Sequence, residues 1–369
     1  MHILLACDKF KGTLTAAEVH AHLTPPLAEA GHHVRSLPIA DGGDGTVAAA
    51  VSSGFSEQQA EVTGPLGERV TAVWARRRDT AVIEMAQASG LALIQPTRGT
   101  ALHSTSIGTG ELIRAALDAG CTRIVLAVGG SATTDGGAGM LRALGVEFLD
   151  RRGIPVSPGG AGLTRLARVD LRGLDPRLRD GTARVILASD VENPLLGDAG
   201  AAAVYGPQKG AVPEDVARLD AALAGFAGLL ADDESHAVRP GAGAAGGVGF
   251  AAFAVLGAEP VPGAEYVMDL IGFDQALGQA ELVVTGEGRF DAQTLSGKGP
   301  GAVISAAAEA AVPVRVVCGS SEFTAASAEV RGLAGLHPMT DHADLATCLS
   351  DPGPVLEAVA RELVGSLSG

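Results

Sequence analysis

Short apolar runs of strand length recur along the chain and alternate with segments whose apolar residues follow a helical period. The runs predicted to be strands cover residues 3–7, 34–39, 123–128, 184–188, 282–285 and 314–318. Helices are predicted at 110–119, 140–144 and 302–311 and after Thr15, where Thr15 and Glu18 match a capping box. The pair Pro25-Pro26 is expected to break or kink that first helix. Helices between consecutive strands are crossovers, so the pattern predicts an α/β fold with a parallel sheet.

Two further segments have patterns of their own. Apolar residues at 70–75 and 81–85 flank Arg76-Arg77-Arg78-Asp79, which predicts a β-hairpin with a solvated turn. Because hairpin strands are antiparallel, this region predicts a second sheet of different character. The uncharged, glycine-rich stretch 240–258 is predicted to be a glycine loop entering a buried helix rather than a membrane span.

The composition excludes several classes of protein. With 369 residues, 47% of them apolar and 19% charged, the chain is expected to fold into two or three domains. A formal net charge of −15 argues against nucleic acid or an anionic membrane as partner, since both need a dense basic face. The four cysteines are far apart and form no C-x-x-C motif, which predicts reduced, buried thiols in a cytoplasmic protein. The strand-like run that starts at Ile3 is not typical of a secretion signal.

Glycine-rich loops follow most of the predicted strands, and the pattern Asp-Gly-Gly-x-Gly occurs at both 41–45 and 135–139. Backbone N–H groups in such loops bind anions beyond the carboxyl ends of parallel strands. Single glycines commonly serve tight turns, but their clustering here favours polyphosphate binding. Residues 241–246 have the spacing of a dinucleotide fingerprint, yet no predicted strand precedes them, so we attribute the match to chance in a chain with 51 glycines.

Phosphoryl transfer is the chemistry that glycine loops, carboxylates and lysines support, because it needs positioning, Mg²⁺ and cations rather than covalent catalysis. Candidates for the base and the Mg²⁺ ligands are the acids near strand ends: Asp41, Asp44, Asp135, Asp190, Glu287 and Asp291. Each taken alone is also a common cap or turn residue, and this interpretation suits Asp135 and Asp291 especially. The scarce lysines, all in glycine-containing segments, are candidate phosphate ligands: Lys9, Lys11, Lys209 and Lys298.

The order of these motifs over nearly the whole chain resembles the type I glycerate kinases, bacterial enzymes that phosphorylate D-glycerate with ATP. The matching segments are 8–13, 40–46, 84–91, 108–113, 129–133, 190–195, 206–211, 240–247 and 285–294. The chain departs from the usual family pattern at Lys9, Thr134 and Ser189, where the family commonly has Ser, Asn and Cys.

The resemblance implies a flavodoxin-like (Rossmann-like) α/β domain formed by residues 1–62 and 283–369. It implies a mixed α/β domain inserted at 63–282, and an active site in the interdomain cleft. It also implies a cytoplasmic enzyme, monomeric or homodimeric, that converts D-glycerate to 2-phosphoglycerate with ATP and Mg²⁺. Either face of the cleft suits the nucleotide.

Roles for individual residues follow from the strand-end positions and this resemblance together. The general base is expected to be Asp190, and the catalytic cations are Lys11, Lys209 and Lys298. Acceptor binding is assigned to Asp8, Asp41, Gly42, Gly43, Asn193 and Arg289. The nucleotide phosphates are assigned to Gly129, Gly130, Ser131, Thr133 and Thr134. The Mg²⁺ ligands are expected to be Asp44, Glu287 and Asp291.

Alternatives stand beside these assignments. Asn193 is equally typical of an Asx turn, and Glu287 is an alternative ion-pair partner for Arg289. At the level of function, the alternatives are a related kinase for small hydroxy acids or trioses and a non-catalytic phosphometabolite-binding protein.

Overall fold

The computed structural model describes residues 1–230, 235–292, 294, 299–324 and 332–367. The chain forms two compact units. The first comprises residues 1–41, 48–53 and 264–369, and the second comprises 42–47 and 54–263. Segment 42–47 therefore belongs to the second unit, whereas the resemblance implies that Gly42, Gly43 and Thr46 lie in the first domain. The domain boundaries implied by the resemblance stay a prediction.

The strands are β1 His2–Cys7, β2 His33–Ser36, β3 Ser56–Thr63, β4 Arg69–Arg77, β5 Thr80–Glu84, β6 Arg123–Ala127, β7 Glu147–Leu149, β8 Arg168–Asp170, β9 Arg184–Ala188, β10 Glu259–Val261, β11 Leu282–Phe290, β12 Val314–Ser321 and β13 Gly335–Pro338. The helices are α1 Ala16–Glu29, α2 Thr46–Ser52, α3 Ala86–Ser89, α4 Arg98–His103, α5 Ile107–Asp118, α6 Ala138–Ala143, α7 Gly160–Leu163, α8 Pro176–Arg179, α9 Ala201–Tyr205, α10 Pro213–Leu230, α11 Ser235–Val238, α12 Ala244–Leu256, α13 Gly263–Ile271, α14 Phe273–Leu277, α15 Gly299–Glu309, α16 Leu345–Ser350 and α17 Pro352–Leu367. Short 3₁₀ turns lie at Leu91–Leu93, Pro207–Lys209 and Met339–Asp341. Across the described residues, no helix combines the length and apolar character needed to cross a membrane.

The first unit is built on a parallel sheet with the strand order β2-β1-β11-β12-β13. Successive residues of β1 point to opposite faces. Ile3 and Leu5 pack into the core that α1 and α17 cover. Leu4 and Ala6 pack into the core that α13, α14 and α15 cover. Strand order and double coverage are those of a flavodoxin-like sheet, which confirms the predicted parallel α/β architecture.

The second unit is built on a mixed sheet with the order β10-β9-β6-β5-β4-β3. Strands β5, β6, β9 and β10 are parallel, while β3, β4 and β5 are joined antiparallel. The predicted hairpin is therefore confirmed as β4 and β5. Arg76 and Arg77 end β4, and Arg78 makes the turn with a φ of 57°. The predicted glycine loop and buried helix at 240–258 are confirmed by α12.

Three local predictions are wrong. Helix α1 is not broken at Pro25 and Pro26, because Leu23 and Leu27 are buried on either side of the pair and tertiary packing holds the helix together. Strand β2 ends at Ser36 rather than 39. Strand β11 continues through Phe290 instead of ending in a glycine loop at 286–291, since it stays paired with β12 to that residue.

All four cysteines are unpaired and buried, as predicted.

Candidate active site

In the first unit, a pocket of about 520 Å³ opens at the carboxyl ends of β1 and β11. Strand β1 lies between β2 and β11, so the connections on its two sides leave in opposite directions and create the crevice where α/β proteins bind ligands. The predicted site residues that line it are Asp8, Lys11, Asp41, Glu287, Arg289 and Asp291. The structure therefore brings together six predicted side chains that are distant in sequence.

Lys9 joins two carboxylates of this pocket. Its ammonium lies 3.7 Å from Asp8 Oδ1 and 3.8 Å from Asp41 Oδ1. Asp8 is buried, and burial raises its pKa to about 7; the charge of Lys9 opposes that rise, while Asp41 and Glu287 add to it. A carboxyl poised near neutrality in a pocket is typical of a functional site.

Arg289 projects from the end of β11, with 65% of its side chain exposed. It pairs with Glu322 and, at 3.6 Å, with Asp291. Asp291 also caps a turn, since its Oδ1 accepts a hydrogen bond from Thr294 N at 3.3 Å. The turn interpretation of Asp291 is thus confirmed alongside its position in the pocket.

In the second unit, loop 129–134 follows β6, and Lys209 lies beneath it. The Lys209 ammonium is buried and donates to Ser131 Oγ at 2.9 Å and to Thr133 O at 2.6 Å. Burial lowers the pKa of Lys209 to about 7, and the charge of Asp135 opposes that change. The Thr134 hydroxyl is buried and has no hydrogen-bond partner among the residues that the structure describes. The loop therefore combines a buried cation with an unsatisfied hydroxyl.

Asp135 anchors the same loop from inside the protein. Its carboxylate accepts hydrogen bonds from Ser106 N at 2.9 Å, from Gly137 N at 3.1 Å and from Gly139 N at 3.2 Å. The Ser106 hydroxyl adds bonds of 3.0 Å to both carboxylate oxygens. Asp135 is fully buried. Its bonds to Gly137 N and Gly139 N, at the start of α6, confirm the cap interpretation of this residue.

The glycine-rich segment 241–247 supports loop 129–134 from behind. A Cβ built on Gly246 would lie 2.0 Å from Thr133 O, and one on Gly247 would lie 2.8 Å from Gly136 Cα. Gly136 N also donates to Gly246 O at 3.0 Å. The segment follows α11 rather than a strand, so its spacing is not that of a dinucleotide-binding motif, as predicted; Gly246 and Gly247 instead permit backbone-to-backbone packing.

Segment 42–47 lies across the carboxyl ends of β9, β6 and β5, in that order. A Cβ built on Gly42 would lie 3.1 Å from Ala188 O, at the end of β9. One built on Gly129, after β6, would lie 2.5 Å from Gly43 Cα. Val47 N donates to the carboxylate of Glu84, the last residue of β5, at 2.5 Å.

The same segment carries Asp44 to loop 129–134. Asp44 is exposed, and a Cβ built on Gly130 would lie 2.5 Å from its Oδ1. The predicted residues Gly42, Gly43 and Asp44 are thus brought together with Gly129 and Gly130.

Asp190 follows β9 and is half-buried, and its Oδ1 accepts a hydrogen bond from Gly263 N at 2.7 Å. The amide of Asn193 is held at both ends, since Nδ2 donates to Ala199 O at 2.8 Å and Oδ1 accepts from Tyr205 Oη at 2.7 Å. Lys298 lies outside the described residues.

Two residues near the candidate site received no assigned role in the sequence analysis. Glu84 ends an apolar strand and is the first residue of the matching segment 84–91, so an acid at a strand end was the available indication. Lys9 was named as a candidate phosphate ligand but received no assigned role, since it departs from the family pattern, yet it lies in the first unit's pocket.

Carboxylates of both units are candidate Mg²⁺ ligands. Within the described ranges, no three His, Cys, Asp or Glu side chains cluster as a ready metal cage. Mg²⁺ commonly binds through one or two carboxylates plus phosphate oxygens and water, so Asp44 in the second unit and Glu287 and Asp291 in the first each carry a group suited to this ion.

Comparison with known proteins gives one family. The model of the "Glycerate kinase family" matches residues 3–368. The chain is 41% identical to the glycerate kinase of Bacillus subtilis (strain 168), with 100% of this chain and 98% of that protein covered. It is 44% identical to the glycerate 2-kinase of Escherichia coli (strain K12), with 87% of this chain and 85% of that protein covered.

A solved structure supports the same family. A crystal structure from Salmonella typhimurium LT2, provisionally named glycerate kinase 2, superposes with a TM-score of 0.83 at 42% identity. The match covers 100% of this chain and 98% of that one. Since the family match extends over nearly its whole length, the chain belongs to the glycerate kinase family and is a kinase.

Proposed function

We propose that this protein transfers the γ-phosphoryl group of ATP to the 2-hydroxyl of D-glycerate, in the cytoplasm. The observation that carries the proposal is the buried amino group of Lys209 beneath loop 129–134, which in its protonated form gives a glycine loop at a strand end a positive charge suited to a polyphosphate. The relative named glycerate 2-kinase supports the choice of acceptor and hydroxyl.

In this proposal, loop 129–134 binds the nucleotide phosphates through its backbone N–H groups and the side chains of Ser131, Thr133 and Thr134. Lys209 contributes its charge from beneath the loop rather than by reaching past it, because its ammonium is already bound to Ser131 and Thr133. Lys11 and Lys298 are the further cations assigned to the transferred group.

Mg²⁺ would be held by carboxylates among Asp44, Glu287 and Asp291, where it would neutralise charge on the phosphate oxygens. The acceptor is assigned to the pocket of the first unit. Arg289 suits the glycerate carboxylate, since a guanidinium pairs with a carboxylate through two parallel hydrogen bonds. Asp8 and Asp41, joined by Lys9, suit its hydroxyl groups.

Asp190 is assigned as the general base. The acceptor oxygen forms a bond to the γ-phosphorus, the bond from that phosphorus to the β–γ bridging oxygen breaks, and ADP leaves. The hydroxyl proton passes to the Asp190 carboxylate, whose orientation is fixed by Gly263 N. Asn193 acts as a positioning residue, because its amide is already bound at both ends.

The test is a panel of acceptors with Mg-ATP, followed by ADP release: D-glycerate, L-glycerate, lactate, glycolate, dihydroxyacetone and glyceraldehyde. The expected result is the highest kcat/KM with D-glycerate. A higher kcat/KM with a triose would establish a related triose kinase instead. Ligand binding with no ADP release on any acceptor would identify a non-catalytic binding protein and overturn the proposal.

A further inference from the structure

The carboxylate of Glu84 occupies an unusual environment for an acid. Glu84 ends β5, and the residue is 2% exposed. Its Oε1 accepts from Val47 N at 2.5 Å, its Oε2 accepts from Gln87 Nε2 at 3.4 Å, and the Gly45 backbone also helps to lower the pKa of the carboxylate. Among the described residues, no lysine, arginine or histidine forms an ion pair with it. Backbone N–H groups of segment 42–47 are therefore its principal partners.

These contacts matter because segment 42–47 contains few other side chains able to fix it. Three of its six residues are glycines, and Gly42 and Gly45 have φ values of 75° and 100°. Such backbone is conformationally permissive, so bonds from outside must hold it in one arrangement. A buried acid is costly unless it is hydrogen-bonded, which makes the contact with Val47 N mutually stabilising.

We propose that Glu84 is a positioning residue, which holds segment 42–47 across the strand ends and so keeps the Asp44 carboxylate against Gly130. Through Asp44 the inference rests on the proposed function, in which Asp44 is a Mg²⁺ ligand. Burial raises the pKa of Glu84, and the hydrogen bonds from Val47, Gln87 and Gly45 oppose that rise, as expected for an acid whose partners are backbone dipoles.

The first readout is independent of catalysis. Hydrogen exchange of the segment 42–47 amides is measured by mass spectrometry in the full chain, for the wild type, Glu84→Ala and Glu84→Gln. The wild type should protect the Val47 amide, and Glu84→Ala should lose that protection. Glu84→Gln keeps one oxygen to accept from Val47 N and should restore most of it.

The second readout is the dependence of the kinase reaction on Mg²⁺. Loss of a residue that orients a metal ligand commonly weakens metal affinity or activity by about 10–100-fold. Glu84→Ala should therefore raise the Mg²⁺ concentration for half-maximal rate by about that factor, with a smaller change in the KM for glycerate. Glu84→Gln should recover most of the wild-type Mg²⁺ dependence.

Glu111 provides a matched control in the same unit. Its carboxylate also accepts from a backbone amide, Thr63 N at 2.5 Å, and it joins α5 to β3 away from segment 42–47. Glu111→Ala should lower the free energy of unfolding without changing exchange in segment 42–47 or the Mg²⁺ dependence.

Unchanged exchange in Glu84→Ala, or a Mg²⁺ dependence that Glu111→Ala alters equally, would overturn the inference. If Glu84→Ala does not fold, Glu84→Asp replaces it: the carboxylate retreats by one methylene, and faster exchange at Val47 is again required. A wild type that protects this amide but transfers no phosphoryl group would refute the proposed function and leave the positioning role supported by exchange.

Discussion

Replacing Lys209 with methionine removes a buried charge while keeping an unbranched side chain of similar length. In the folded protein Lys209 has a pKa of about 7, against an ordinary value of 10.5, because burial disfavours the ammonium. Between these two values the unfolded chain binds a proton that the folded chain does not. Stability contributed through Lys209 therefore rises with pH over that interval.

The size of the effect follows from the same two values. Each pH unit in the interval changes the free energy of unfolding by up to about 1.4 kcal/mol. Between pH 7.5 and 9.5, the wild type should gain about 2–3 kcal/mol relative to Lys209→Met. Other titrating groups, including the buried thiols, are common to both proteins and cancel in the difference.

The chain offers a specific probe for this measurement. Trp74 is its single tryptophan, and it lies in the core of the second unit, the unit that contains Lys209. Urea unfolding followed by Trp74 fluorescence at a series of pH values gives the free energies directly. Leu223→Ala, an uncharged core change in the same unit, should show a pH-independent difference from the wild type. Parallel stability curves for the wild type and Lys209→Met would refute the reasoning.

Three further predictions concern turnover and binding. Asp190→Asn should lower kcat by about 10²–10⁴ with little change in nucleotide affinity, and near-normal turnover would remove Asp190 as the base. Arg289→Ala should raise the KM for glycerate by about 10–100-fold, which is the effect of losing one hydrogen bond to a charged group, and should leave the KM for ATP nearly unchanged. An unchanged KM for glycerate would contradict the assignment of Arg289. Gly130→Ala should weaken ATP binding measured by calorimetry, because Gly130 has a φ of 68° and an added Cβ would lie 2.5 Å from Asp44 Oδ1. If the variant binds ATP as tightly as the wild type, the phosphates bind elsewhere.

The strand-and-helix pattern predicted most of the parallel elements, because buried parallel strands are short, continuous apolar runs. It failed where tertiary contacts overrode local preference. Pro25 and Pro26 remain within α1 because the residues around them are buried in the core, and no local pattern contains that information. Strand β11 extends beyond the prediction because its glycines fit against β12: a Cβ on Gly286 would lie 1.7 Å from Val317 O.

For the site, the sequence supplied the residue types but not their partners. It identified Lys209 and loop 129–134 separately, since 78 positions separate Lys209 from Ser131. It ruled out a dinucleotide motif at 241–246 but could not show that Gly246 and Gly247 pack against Thr133 and Gly136, because spacing does not reveal which backbone a glycine contacts. It passed over Glu84, whose role depends on which distant amides reach it.

The position of the phosphoryl group in the product tests the proposed reaction most directly. Purified protein is incubated with Mg-ATP and D-glycerate, and the product is examined by proton-coupled phosphorus NMR. Phosphorylation of the 2-hydroxyl predicts a doublet, from coupling to the single proton on the adjacent carbon. A triplet from the methylene of 3-phosphoglycerate, or no new phosphate ester at all, would contradict it.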